Sequence, residues 1–154
     1  MTYNIHPLFV HFPIAFLFLY SIIKIVPFKK WLPNVSWKHI ERVFLLVGFL
    51  GALAAIITGS IAKNLIHPNE QLVAAHATFA LLTALIYGLL LLGEIISFFK
   101  ARENFLCDGL ISKLLALSGL MSISITGMLG GVMVYGLSAD PLAGVVLKLL
   151  GINL

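Results

Sequence analysis

The sequence predicts an all-α integral membrane protein, a bundle of four transmembrane helices with N-terminus and C-terminus outside and a short C-terminal interfacial helix. Three observations carry this expectation. The first is composition: 60% of the 154 residues are hydrophobic, 10% are charged and the mean hydropathy is +1.07. Soluble domains lie nearer half apolar and a quarter charged, and so small a globule has no interior that hides this much apolar surface. The second is length: four segments reach the roughly 20 apolar residues that cross a bilayer. The third is charge placement, with Lys and Arg gathered in alternate connections.

The four spans run about 7–26, 40–62, 71–99 and 110–137, and each is read as a helix because lipid offers no partner to an open strand edge. Pro27 ends the first, and Pro33 keeps the connection to the second irregular. Trp31 and Trp37 flank that connection, where aromatic rings favour the membrane–water interface. The stretch from Lys63 to Glu70 is short and polar, which makes the second and third helices antiparallel neighbours. Beyond the fourth span, Asp140-Pro141 reads as a cap followed by a first helical position. The helix it opens, about 141–150, is too short to span and is expected in the outer interface. The whole chain, 1–154, reads as one membrane domain. Met1 to Asn4 lack a positive n-region, so the first span is expected to be retained.

Orientation follows from the basic residues. Lys24, Lys29, Lys30, Lys38 and Arg42 surround the first connection, and Lys100, Arg102 and Lys113 the third. The opposite side has only Lys63 and Lys148. The positive-inside rule makes the first side cytoplasmic and both termini periplasmic or extracellular. The basic residues form no stripe, so nucleic acid is not an expected partner. A single cysteine, Cys107, excludes a disulfide framework within the chain.

Four of the five histidines fall at the outer side. His6 and His11 open the first span, His67 lies in the second connection and His76 is about 9 Å into the third helix at 1.5 Å per residue. His11 lies about 7 Å deeper than His6 if that stretch is helical, which puts it level with His76. Polar rings in lipid usually face the bundle interior and mark a site. Two imidazoles on facing helices can ligate a haem iron from both faces. Small residues at the same level offer space for a macrocycle: Thr58, Gly59 and Ser60 in the second helix, and Thr126, Gly127, Gly130 and Gly131 in the fourth. Thr58, Thr126 or Tyr135 can hold a ring nitrogen or a propionate by hydrogen bonding. The glycines serve equally as close-packing positions. His6 and His67 read as rim residues, and His39, beside Glu41 and Arg42, as an interfacial residue without a site. Met121, Met128 and Met133 read as packing. Glu94, near the inner end of the third helix, reads as a carboxylate that snorkels to the interface. Pro13, within the first helix, is expected to kink it beside His11 or to set its angle.

The segment His6-Pro7-Leu8-Phe9-Val10-His11-Phe12-Pro13 resembles the opening signature, HPxxVHFP, of an uncharacterised family of small bacterial membrane proteins, a domain of unknown function. Thr58-Gly59, His76 and the run Gly130-Gly131-Val132-Met133-Val134-Tyr135 match further features of that family, and the likeness covers about Asn4 to Gly136. The resemblance implies four spans in a bacterial inner (plasma) membrane. Some members are fused to Rieske iron–sulfur or cytochrome-like modules, which implies a redox setting. Members often carry an acid shortly after the Thr-Gly pair. Here Ser60-Ile61-Ala62-Lys63 stands there, so the acid is missing or replaced by His67.

The leading expectation is therefore a b-type cytochrome-like electron-transfer protein rather than a stand-alone enzyme. His11 and His76 would bind haem b near the outer face, with His6 and His67 at the rim. Its partners would be the lipid bilayer and a quinol or redox protein on the outer side; self-association into a homo-oligomer is left open. Two alternatives stand beside it: an all-imidazole Zn or Cu site, and a cofactor-free membrane anchor or assembly subunit. No nucleophile stands at a suitable spacing from a base, which argues against hydrolysis.

Overall fold

The computed structural model describes residues 6–63, 69–100, 106 and 109–152. Four long helices dominate: α1 His6–Ile25, α2 Trp37–Ala62, α3 Glu70–Lys100 and α4 Leu110–Tyr135. A short fifth helix, α5 Ala143–Leu149, follows. Each of the first four contains a stretch long and apolar enough to cross a membrane, and no strand occurs among the described residues. The boundaries agree with the expected spans to within a turn. The largest difference is at α2, which begins at Trp37 because the polar turn of Lys38, His39 and Glu41 is already helical.

α1 packs chiefly on α2 and on α4, and α3 chiefly on α4. Small residues set these approaches, as expected where lipid supplies no hydrophobic drive between helices. A Cβ added at Gly48 would lie 2.6 Å from Cδ2 of Leu17, and one at Gly119 2.8 Å from the Tyr87 ring. Pro13 is buried inside an uninterrupted α1 and packs its ring against Gly51 of α2. The interior positions of α1 are Pro13, Leu17, Tyr20, Ser21 and Lys24, a spacing of three and four residues that keeps one stripe inward. Leucines along the outer faces stay exposed, as lipid-facing residues do in a bundle this thin.

The middle of the bundle is not wholly apolar. Tyr87 and Ser21, both buried, share a hydrogen bond of 2.7 Å between α3 and α1. Thr83 and Ser122 share one of 2.8 Å between α3 and α4. Ser122 also donates to the Phe79 carbonyl. These bonds join helices while satisfying the hydroxyls, which would otherwise carry a desolvation cost of about 1–3 kcal/mol each.

α5 folds back on the opposite ends of α3 and α4. Its buried Ala143 and Leu147 join Leu72, Leu129 and Val132 in a second apolar cluster. Asp140 is not the cap of this helix: its carboxylate accepts from the Leu142 amide at 2.8 Å in the turn before it, and Leu142 itself holds the N-cap position without a side-chain bond. The regular helix starts at Ala143, two residues later than the expected Pro141.

One expectation is corrected. Glu94 does not snorkel. α3 continues for six residues beyond it, and its side chain is 4% exposed, enclosed by Lys38 at 2.9 Å, Arg42 at 3.0 Å and Lys24 at 3.9 Å. Lys24 also pairs with Glu41 at 2.9 Å. A carboxylate on the inward stripe of a helix meets the facing helices rather than water, and it is kept there by cations.

Candidate functional site

The histidine level lies at the end of the bundle where α1 begins. His6 is the first residue of α1, and its ring is half-buried. Its Nδ1 lies 3.0 Å from the Thr58 hydroxyl of α2. That hydroxyl has one proton, and it donates it to the carbonyl of Ala54 or Ala55, at 3.0 and 3.1 Å. Its oxygen therefore accepts from His6, which carries its proton on Nδ1. The Ala55 carbonyl is a second acceptor beside this ring. The seat exists because position 59 is glycine: a Cβ there would lie 3.0 Å from Cε1 of His6.

His76 of α3 repeats the pattern on the other half of the bundle. Its Nδ1 donates to the Thr126 carbonyl of α4 at 3.0 Å. Gly130, one turn further along α4, leaves the approach open, since a Cβ there would lie 3.3 Å from Cε1 of His76. Thr126 uses its own hydroxyl within α4, donating to Ser122 O at 2.9 Å. In the neutral imidazole of each histidine, Nε2 then holds the in-plane lone pair.

The two rings meet. Their centres are 6.4 Å apart with planes at 89°. His6, Thr58 and Gly59, His76, and Thr126 and Gly130 thus bring all four long helices into one constellation.

His11 is not part of it. The ring facing His76 is that of His6, while His11 is exposed and donates from Nδ1 to the Pro7 carbonyl of its own helix at 2.6 Å. Five residues along a helix rotate the side chain by about 140°, so His6 on the inward stripe forces His11 off it. Tyr135 is 74% exposed at the end of α4, away from a ring-holding role. Gly131 lies in α4 beside the buried Val132. His39 is exposed at the opposite end. The call on His67 lies outside the described residues. Among the described residues no group of three or more His, Cys, Asp or Glu stands close enough to hold a bare ion.

The chain matches, over residues 2–140, the model of a family described as "Predicted membrane protein (DUF2231)". The chain belongs to this family. The match spans all four long helices and every residue of the histidine constellation, so the site lies within the family's domain. Neither a curated protein nor a solved structure matches the chain.

Proposed function

We propose that the histidine end of the bundle holds haem b between His6 and His76, and that the protein transfers single electrons at that side of the membrane. The observation behind this reading is the pair of Nδ1 contacts, His6 with the Thr58 hydroxyl and His76 with the Thr126 carbonyl, each at 3.0 Å. Two imidazoles from facing helices both commit Nδ1–H to a fixed acceptor, the arrangement that orients metal-ligating histidines and raises their basicity. The two ring centres lie 6.4 Å apart, and His6 and His76 are the residues that would hold the group. The donor set also suits the group, since a haem takes two axial nitrogens whereas a structural zinc site takes four ligands.

A six-coordinate haem supplies a one-electron couple tuned by its axial ligands and burial. The chain's own residues supply the rest. Thr58 and the Thr126 carbonyl fix the rings, and Gly59 and Gly130 admit them. With the basic connections cytoplasmic, the site faces outward, toward a quinol or a redox protein.

The test is a visible spectrum of the protein purified in mild detergent, oxidised and dithionite-reduced, after expression with ample haem. Sharp reduced bands of a six-coordinate haem b are expected. His6→Ala and His76→Ala are each expected to abolish them, whereas His11→Ala and His39→Ala retain them. A colourless protein defeats the proposal, and metal analysis of that preparation then separates a Zn or Cu site from a cofactor-free protein.

A further inference from the structure

At the opposite end of the bundle the helices part around a cavity of about 620 Å³. Its lining is basic. Lys24, Lys29, Lys38, Arg42 and Lys113 border it, drawn from α1, the following turn, α2 and α4. Two carboxylates face these five cations: Glu41 in the lining and Glu94 beside it. Glu41 and Glu94 are engaged by Lys24, Lys38 and Arg42. Lys29 and Lys113 have no carboxylate partner among the described residues. The amino ends of α2 and α4 also border the cavity, and neither has an acidic residue in its first turn. Positive partial charge from both helices thus adds to the surplus. The rest of the wall includes Ile23, Val26 and Trp37, apolar surface of the kind an acyl chain covers.

We propose that this cavity binds a phosphate group, carried by an anionic lipid headgroup or by a soluble phosphate ester. Basic pockets between transmembrane helices at the cytoplasmic side recognise such headgroups. Here the carboxylates hold three of the cations in place, and the two remaining lysines supply the charge that an anion neutralises. The site is remote from the histidine pair, so it stands or falls independently of the haem.

The indole of Trp37 reports on it, fixed by its bond to the Leu32 carbonyl at 2.9 Å and stacked on Phe28. In a Trp31→Phe background Trp37 is the sole tryptophan. That full-length protein in neutral detergent is titrated with short-chain phosphatidylglycerol, with phosphatidylcholine of the same chain length and with glycerol 3-phosphate. Native mass spectrometry counts bound molecules in parallel, so that binding silent to the indole is still seen. Saturable binding of phosphatidylglycerol is expected, with phosphatidylcholine much weaker. Lys29→Gln combined with Lys113→Gln is expected to weaken it on the order of 30-fold, at about fivefold per lysine near a membrane surface. Saturation by glycerol 3-phosphate as well identifies the phosphate ester itself as sufficient; saturation by the lipid alone identifies the membrane as the source. Equal binding of both lipids, no saturable binding by either measurement, or an unchanged affinity in the double variant overturns the proposal.

Discussion

Thr58 decides which nitrogen of His6 carries a proton. Its hydroxyl spends its single hydrogen on its own helix and so faces His6 as an acceptor. Thr58→Val keeps the shape and removes that acceptor. Loss of an outer partner of a ligating histidine typically costs 10–100-fold in affinity. Haem occupancy in Thr58→Val, read as the ratio of Soret to protein absorbance during dilution, is therefore expected to fall while Thr58→Ser restores it. Equal occupancy in all three proteins would remove Thr58 from the site. The identity of the inward histidine was legible in the sequence, although depth alone pointed to the other one. His6 shares the stripe of Pro13, Leu17, Tyr20 and Lys24, whereas His11 is about 140° away. Depth counted from each helix's own start also assumes that the starts are level. α3 has 31 residues, some 46 Å at 1.5 Å each, against a hydrocarbon core of about 30 Å. Its first turns can therefore extend beyond the start of α1 and bring His76 level with His6.

Among the elements, the long helices were legible because composition and punctuation agree. Apolar runs fix their lengths, and prolines and polar connections fix their ends. What the sequence does not display is which glycine meets which neighbour. Thr-Gly pairs and Gly-Gly runs look alike, yet Gly59 seats a histidine, Gly48 admits Leu17, and Gly144 of α5 meets nothing within 4 Å. These differences make a contrast at the level of helix packing. Gly48→Val forces a Cβ to within 2.6 Å of a Leu17 side chain that is fully buried, an overpacking that costs about 1–3 kcal/mol or more. A lower thermal midpoint and an aggregated size-exclusion profile are expected for Gly48→Val, and no change for Gly144→Ala. Equal stability of the two variants would mean that α1 and α2 separate without cost at that level. Glu94 teaches the same lesson in charge. Its distance from the helix end suggested an exposed carboxylate, but the inward stripe that holds His76, Thr83, Tyr87 and Leu90 also passes through position 94.

At the scale of the whole molecule the bundle is polar along its axis. One end gathers paired imidazoles with bonded hydroxyls; the other holds the basic cavity, with its five cations and two carboxylates, and both tryptophans. The apolar and hydroxyl-bonded layer around Leu17, Leu45, Tyr87 and Leu90 separates them. The positive-inside rule predicts an orientation from this internal polarity, because the sequence puts eight of the ten basic residues around the first and third connections. Cys107 is the chain's only cysteine and belongs to the sequence that joins α3 to α4. Asn4 precedes α1 in the sequence. A membrane-impermeant maleimide applied to intact spheroplasts is therefore expected to label Asn4→Cys in a Cys107→Ser background, and to label native Cys107 only after lysis. The reverse pattern would place the histidine pair on the cytoplasmic side. The residues proposed to hold haem would then be unaffected, but the proposed electron donor or acceptor would have to be sought among cytoplasmic proteins, and the cavity proposed for phosphate would open to the outer leaflet. Labelling of both positions in intact cells would indicate two populations of opposite orientation. That outcome would mean that the basic residues around the cavity do not determine topology.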